Sequence, residues 1–188
     1  MQTLKNIVKE IFSTVLYIAV VLGLTYLLIT YVGQRTVVDG ASMESTLTDG
    51  DNLIVDKLSY RFKDPQRFDI IVFPFQYQKG VYYIKRIIGL PGETVWIDLD
   101  GSIYIDSGEG LTLLQESFGK EVIRPEYIGR AANPVVLGEN EYFVLGDNRN
   151  NSSDSRTDMV GNIKREDIIG KAWVRVWPLS EIAVLTNR

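Results

Sequence analysis

Two residues that could form a nucleophile and its base lie in separate stretches of the sequence. Ser42 belongs to residues 39–47 (DGASMESTL), where the two small residues before it leave room for a substrate backbone. Lys85 belongs to residues 81–93 (VYYIKRIIGLPGE). A serine becomes a nucleophile when a neighbouring base removes its proton, and a neutral lysine can be that base. Taken alone, a serine in such a turn is more often a turn former.

The sequence around Lys85 predicts a strand with two apolar faces. Period-2 alternation puts Lys85 on one face, between Tyr83 and Ile87, and Ile84 and Arg86 on the other. Burial disfavours the charged ammonium and can lower a lysine pKa of about 10.4 by up to ~3–5 units. Lys85 would then be a base near neutral pH. The simpler interpretation is a lysine that extends from an edge strand into solvent.

A third polar stretch, residues 146–156 (GDNRNNSSDSR), directly follows an apolar run at residues 142–145. Its charge order permits Asp154 and Arg156 to form an ion pair. Ser152 could offer a hydroxyl to a buried amine and so orient a lysine base. Without the other two stretches, these residues would be interpreted as a solvated loop.

The composition excludes several kinds of chemistry. The chain of 188 residues contains no histidine, so neither a Ser-His-Asp triad nor an HExxH zinc site is available. It contains no cysteine, which excludes disulfides and thiolate ligands. A net charge of -4 with 23% charged residues predicts neither disorder nor a nucleic-acid partner. We expect no metal ion and no organic cofactor.

The N-terminal region predicts a membrane anchor. Residues 11–32 carry no charge, and at ~1.5 Å per residue they cross a hydrocarbon core of ~30 Å. A cleavable signal peptide would have a shorter apolar region and a small-x-small site, which residues 33–35 do not provide. Lys5 and Lys9 precede the segment. The positive-inside rule therefore predicts a cytoplasmic tail at 1–10 and an extracytoplasmic domain at 33–188.

The remaining chain predicts a mostly antiparallel β domain, because short β-type runs alternate with turn residues. Asp49-Gly50 and Asp100-Gly101 are typical turn dipeptides. Residues 98–132 are richer in Gly, Ser and Glu and predict an insertion or cap subdomain on the main sheet. The seven runs are residues 52–56, 68–73, 81–88, 94–99, 102–105, 141–145 and 171–177.

Together the three stretches resemble the type I signal peptidase family, in its short, single-anchor, Gram-positive-like form. The matching patterns are SM-x-x-TL from Ser42, YIKR-x-IGLPG from Tyr83 and GDNR-x-NS-x-DSR from Gly146, in the family's order. The resemblance implies a membrane-bound serine endopeptidase of the plasma membrane that removes signal peptides from secreted preproteins after A-x-A-like sites. It also implies a β catalytic core with a small β subdomain, and a position beside the secretion machinery and the lipid bilayer.

The resemblance also implies a role for each matching residue. Ser42 would be the nucleophile and Lys85 the general base. Positions expected to hold the oxyanion or orient the lysine are Gly40, Ser42 and Ser152. Positions expected to support the site are Asp147, Asn148, Arg149, Asp154 and Arg156. Positions expected to form the walls of shallow substrate pockets are Met43, Leu47, Tyr83 and Ile84.

Two positions depart from the family pattern. The family usually has proline where this chain has Ser45, so the turn after the nucleophile lacks a fixed φ angle and is expected to be looser. Gly40 stands where some members carry a hydroxyl residue that helps to hold the oxyanion. We therefore expect the backbone N–H of Ser42 to provide most of that stabilisation.

Three alternatives remain open from the sequence. Ser117 and Lys120 fit the S-x-x-K pattern of penicillin-binding acyltransferases, although the K-T-G pattern is missing. An inactive relative that acts as a membrane-anchored binding protein would retain the fold but need neither Ser42 nor Lys85. A self-cleaving regulator could use the same Ser-Lys chemistry, but such regulators lack a membrane anchor.

Overall fold

The computed structural model describes residues 2–31, 33–119 and 121–187. Its first element is a long helix, α1 (Gln2–Tyr31), which covers nearly all of the predicted span; Val32 lies outside the described residues. The window Lys5–Leu27 is long and apolar enough to cross a membrane, and none of it is buried against the rest of the protein. A core helix of a soluble protein would be mostly buried. The exposed apolar surface suits a lipid environment and a membrane anchor.

Twelve short strands follow among the described residues. Each of the seven predicted runs overlaps one of them, and the other five strands were not predicted. The strands are β1 (Gly33–Val37), β2 (Asn52–Asp56), β3 (Ile70–Pro74), β4 (Tyr82–Gly89), β5 (Thr94–Ile97), β6 (Ile103–Asp106), β7 (Leu111–Leu113), β8 (Val135–Val136), β9 (Glu141–Leu145), β10 (Ile163–Lys164), β11 (Gly170–Trp177) and β12 (Ala183–Val184).

The strands form two sheets, and every strand pair in them is antiparallel. The larger sheet has the order β1-β2-β11-β3-β4-β9-β10, with β12 on β11. The smaller sheet has the order β7-β6-β5-β8 and is formed by residues 94–136, so it includes the predicted insertion at 98–132. The predicted mostly β fold with one N-terminal apolar helix is therefore confirmed.

The two predicted turn dipeptides close different kinds of loop. Asp100-Gly101 closes the tight hairpin between β5 and β6, where the backbone N–H of Gly101 donates to the carbonyl of Asp98 at 3.0 Å. Asp49-Gly50 instead closes a long loop, because the N–H of Gly50 donates to the carbonyl of Val38 at 3.0 Å. That loop connects β1 to β2 and contains Ser42.

The buried core is continuous between the sheets. One apolar cluster combines Ile97 and Ile105 of the smaller sheet with Ile88, Phe143 and Leu145 of the larger sheet. Burial of apolar surface at about 25 cal/mol per Å² stabilises this junction. The smaller sheet is therefore packed directly on the strands that carry Lys85 and the polar stretch 146–156.

Candidate active site

Ser42 lies in the loop between β1 and β2. Two large apolar side chains of this loop are buried in the core and anchor it. Met43 and Leu47 are fully buried in a cluster with Leu53 and Ile70. A compact turn results, in which the backbone N–H of Leu47 donates to the carbonyl of Met43 at 2.8 Å. Met43 and Leu47 pack in this cluster and are not among the residues that line the open cleft, so their role as pocket walls stays a prediction.

Lys85 reaches Ser42 from β4, a central strand of the larger sheet. Its side chain is buried, and its Nζ lies 2.7 Å from Ser42 Oγ. The Nζ also donates to the carbonyl of Ile84 at 2.8 Å and lies 5.1 Å from the centre of the Tyr83 ring. These contacts hold the amine against the serine hydroxyl, which is the arrangement that proton transfer requires.

Burial changes the protonation of Lys85. Loss of hydration lowers the pKa of its ammonium from 10.5 to about 8, although the negative charges of Asp154 and Asp147 act in the opposite direction. A substantial fraction of Lys85 is therefore neutral slightly above neutral pH. The predicted burial of this lysine on a strand with two apolar faces agrees with the structure.

Asn148 holds the peptide group that precedes Ser42. Its backbone N–H donates to the carbonyl of Ser42 at 3.1 Å, and its Nδ2 donates to the carbonyl of Ala41 at 3.1 Å. Because a trans peptide points its C=O and N–H in opposite directions, this second bond turns the N–H of Ser42 away from Asn148. Among the residues that the structure describes, that N–H has no acceptor, so it is available to an oxyanion.

Gly40 does not offer a second free donor. Its backbone N–H donates to the Asp49 carboxylate at 2.8 Å, and its φ of +93° is in the left-handed region that favours glycine. Gly40 therefore shapes the start of the loop. The expectation that the Ser42 N–H is the main donor fits this geometry.

Ser152 lies close to the dyad without bonding to it. Its Oγ is buried and has no hydrogen-bond partner in the part of the chain that the structure describes. A Cβ on Gly146 would lie 2.3 Å from that Oγ and 2.4 Å from the carbonyl of Ser42, so only glycine permits this close approach. The predicted hydrogen bond from Ser152 to Lys85 is not formed in the structure, since Lys85 Nζ bonds to Ser42 and Ile84.

Ion pairs brace the polar stretch 146–156 beneath the site. Arg156 Nε and Nη2 donate to the two Asp154 oxygens at 2.8 Å each, and Asp154 also accepts the N–H of Gly146 at 3.1 Å. Arg149 forms an ion pair with Glu116, in which Arg149 Nη2 donates to Glu116 Oε2 at 2.6 Å. The Asp154–Arg156 pair agrees with the sequence prediction, whereas Glu116 was not anticipated.

A buried arginine on β4 was also missed. Arg86 is completely buried, and its Nε and Nη2 donate to the two carboxylate oxygens of Asp147 at 2.8 and 2.7 Å. Removing one partner of such a pair leaves a buried, uncompensated charge. The available signal was the position of Arg86 on the same apolar strand as Lys85, which requires a buried anion opposite it.

The dyad opens into a cleft of about 390 Å³ between the loop and β4. Tyr83 and Ile84 line this cleft, as predicted, and Asn151 and Ser153 line it as well, which was not predicted. β4 pairs with β3 over Tyr82–Arg86 but with β9 only from Arg86 onward. One edge of the strand before Arg86 is thus free of a partner strand among the described residues.

Comparison with known proteins identifies the family. The model of the family "signal peptidase, peptidase S26" matches residues 11–177, which is most of the chain. The chain belongs to the S26 signal peptidase family. A probable signal peptidase I-2 of Synechocystis is 39% identical over 84% of this chain and 69% of that protein. Signal peptidase I of Leptolyngbya laminosa is 39% identical over 83% of this chain and 74% of that protein.

Other relatives carry the same description. Signal peptidase I of Bacillus licheniformis is 32% identical over 93% of this chain and 92% of that protein. A crystal structure of a signal peptidase I from Enterococcus faecalis is 37% identical, covering 58% of this chain and 97% of that chain at a TM-score of 0.45. This chain is accordingly a peptidase of the signal peptidase family with an N-terminal apolar helix.

In this signal peptidase, the turn after Ser42 has a conformation that proline cannot adopt. Ser45 has a φ of +81°, whereas proline is fixed near −65°. The Ser45 Oγ donates to the carbonyl of Phe118 at 3.2 Å. The Ser45 side chain therefore connects the turn to the segment after β7, and the expectation of a looser turn stays a prediction.

The S-x-x-K pattern lies only partly within the described residues. Ser117 is exposed on the segment after β7, and Lys120 lies outside the described residues. Ser117 does not line the cleft that contains Ser42 and Lys85.

Proposed function

We propose that this chain is a membrane-bound serine endopeptidase that removes N-terminal signal peptides from secreted preproteins with a Ser42–Lys85 dyad. The observation that carries the proposal is the 2.7 Å approach of a buried amine to a serine hydroxyl at the end of an open cleft. Membership of the signal peptidase family supports the substrate class. An inactive binding protein would have no need for a lysine whose pKa is lowered by burial.

The reaction proceeds in two steps of acyl transfer. Neutral Lys85 accepts the hydroxyl proton of Ser42 while Oγ bonds to the scissile carbonyl carbon. As the C–N bond breaks, Lys85 returns that proton to the departing amine, and the acyl group remains on Ser42. Lys85 then takes a proton from water while the water oxygen attacks the ester carbonyl. As the ester C–O bond breaks, Lys85 gives that proton to Ser42 Oγ, which releases the carboxylic acid and restores the neutral dyad.

The oxyanion of each tetrahedral intermediate is stabilised by the N–H of Ser42. One such donor contributes about 3–4 kcal/mol to transition-state stabilisation. Asn148 fixes the orientation of this donor through the carbonyls of Ala41 and Ser42, and Gly146 permits the close packing that Asn148 needs.

The substrate binds as an extended peptide beside β4. The free edge of the strand before Arg86 offers backbone groups to an added strand, in the manner of β-augmentation. Alternate side chains of the peptide then lie on one face of the added strand, and the small residues of an A-x-A sequence fit the cleft that Tyr83 and Ile84 line. Asn151 and Ser153 offer polar contacts on the opposite wall.

The anchor brings the site to the membrane surface. Only eleven residues separate Tyr31, the last described residue of α1, from Ser42, which is at most roughly 40 Å of extended chain. We place residues 1–10 in the cytoplasm and the β domain outside the plasma membrane, beside the secretion machinery and the emerging preprotein.

The test is processing of a preprotein with an A-x-A site by membranes that contain the full-length chain. Wild type should release a mature protein whose N-terminus, read by mass spectrometry, follows the second alanine. Ser42→Ala and Lys85→Ala should each lower the rate by at least about 10³-fold. Ser107→Ala and Lys164→Ala, at exposed positions, serve as matched controls. Unchanged processing by either dyad variant would reject the mechanism, and binding without cleavage by wild type would favour the inactive relative.

A further inference from the structure

Two strained backbone positions meet at one aromatic residue. Among the described residues other than glycine, Ser45 and Phe68 have a positive φ, at +81° and +69°. This left-handed conformation is unfavourable for both residue types, and such strain persists only where surrounding contacts impose it. Both residues contact Phe118, which lies in residues 114–119 directly after β7. We refer to residues 114–119 as the strap.

Phe118 contacts three groups around the nucleophile turn. Its carbonyl accepts the Ser45 hydroxyl at 3.2 Å. Its ring lies 3.6 Å from the guanidinium carbon of Arg86, a cation–π distance, and 5.2 Å from the Phe68 ring. The ring therefore covers a buried arginine that would otherwise face the solvent side of the site.

Arg86 continues this set of contacts into the turn that follows Ser42. It donates to the carbonyl of Phe68 at 2.8 Å and forms the two-bond pair with Asp147. Asp147 in turn accepts the hydroxyl of Thr46 at 2.5 Å. Thr46 belongs to the turn whose hydrogen bonds return to Met43, the residue next to the nucleophile.

The strap itself is attached to the protein on both sides of Phe118. Leu114 packs against the core shared by the two sheets. Glu116 pairs with Arg149 of the polar stretch 146–156. Gly119 lies so close to Arg149 that a Cβ there would be 2.6 Å from its guanidinium carbon. These contacts fix the position of Phe118, which lies in the segment that follows β7 of the smaller sheet.

We propose that Phe118 is a positioning residue that, through Ser45 and Arg86, holds the turn at residues 42–47 so that Ser42 Oγ stays within hydrogen-bonding distance of Lys85. The inference rests on the proposed function, since it assigns Phe118 to the Ser42–Lys85 reaction. Neither Phe118 nor Ser45 lines the cleft, so their loss changes the chemical step more than substrate binding. The strap gives the smaller sheet a part in catalysis.

The test compares Phe118 variants of the full-length protein on a peptide substrate with an A-x-A site. Phe118→Ala removes the ring from Arg86 and Phe68 but keeps the backbone carbonyl that accepts Ser45. It should lower kcat by about 10- to 100-fold, the size expected for a misplaced reacting group, with KM changed less than about threefold. Phe118→Tyr keeps an aromatic face over Arg86 and should retain at least about half of the wild-type kcat. Phe118→Leu, which keeps apolar bulk alone, should fall between them.

The control is Tyr104→Ala, which removes an aromatic residue of the smaller sheet that packs on Trp96, with ring centres 5.2 Å apart, and not on the turn. It should reduce the melting temperature with little change in kcat. Assays are run well below the melting temperature of every variant. Wild-type kcat in Phe118→Ala, or equal losses in Phe118→Ala and Tyr104→Ala, would overturn the inference. Inactive wild type would instead reject the proposed function.

Discussion

At the scale of single residues, the site depends on a lysine kept away from water. Lys85 is buried on β4 and touches Ser42, and desolvation lowers its pKa to about 8. The ammonium form is therefore less stable in the folded protein than in the unfolded chain. Such a group is retained for its chemistry and lowers the stability of the fold.

The free-energy cost of burying the Lys85 ammonium predicts that the Lys85→Met protein is more stable than wild type and inactive. A fall in pKa from 10.5 to about 8 corresponds to roughly 3 kcal/mol at about 1.36 kcal/mol per pKa unit. Below pH 8 the lysine is protonated in both states, so the whole cost is present. Between pH 8 and 10.5 the folded state is already neutral, so the cost disappears as the pH rises.

The measurement is chemical unfolding of the full-length protein in detergent at pH 7 and at pH 11. Lys85→Met should gain up to about 3 kcal/mol at pH 7 and much less at pH 11. Lys164→Met, at an exposed lysine of β10, is the matched control and should change little. A Lys85→Met protein less stable than wild type at pH 7 would contradict the burial cost.

Residue types predict the dyad better than they predict its supports. The absence of histidine and the apolar residues around Lys85 make a lysine base possible, but only the resemblance of all three stretches to the family assigned the roles of Ser42 and Lys85. Arg86 and Glu116 were missed, because a pattern of charges does not show which distant chain segments meet. Met43 and Leu47 were expected to form pocket walls; the structure shows that they also pack the loop on its own core, which the sequence pattern did not indicate.

At the scale of elements, the turn after Ser42 is the part most different from expectation. Its positive φ at Ser45 excludes proline, although proline is usual in the family. This conformation depends on a contact 73 positions along the chain, between Ser45 and Phe118. No local sequence pattern could predict it.

This conformation predicts opposite effects for two substitutions at Ser45. Ser45→Pro forces φ towards −65°, so the turn must rearrange, and we expect a loss of roughly 1–3 kcal/mol in stability together with a lower kcat. Ser45→Gly accepts the positive φ without strain and should be at least as stable as wild type. Thermal unfolding and peptide cleavage measure both effects. A proline variant as stable and as active as wild type would show that the turn has another conformation.

There are clear physical reasons why these strands were not predicted from the sequence. β1 (Gly33–Val37) is an edge strand of mixed polarity, so it lacks the alternation of a half-buried strand. β8, β10 and β12 each contain two residues, too few to show any period. The seven predicted runs were recognisable because each combines apolar residues with flanking turn residues.

At the scale of the whole molecule, the apolar helix and the cleft that contains Ser42 are close to each other along the chain. The helix α1 leads directly into β1, and the loop that follows β1 carries Ser42. The span was predictable from composition alone, whereas the packing of the smaller sheet against β4 and β9 required the structure. The orientation of the chain across the membrane stays a prediction from two lysines.

That orientation can be tested directly, because the natural chain contains no cysteine. A single Ser107→Cys, at an exposed position of the β domain, should react with a membrane-impermeant maleimide in intact cells from which any outer barrier has been removed. Lys5→Cys should react only after permeabilisation. Both variants should still process preprotein. The reverse labelling pattern would place the catalytic domain in the cytoplasm and contradict the proposed access to secreted preproteins.

The most direct test of the central claim is the pH dependence of kcat/KM for cleavage of an A-x-A peptide by the full-length enzyme. Because only neutral Lys85 can accept the Ser42 proton, the rate should rise about tenfold per pH unit below an apparent pKa of about 8 and then level off. An ascending limb that continues to about 10.5, the value of an unburied lysine, or a rate independent of pH between about 6 and 9, would contradict the account.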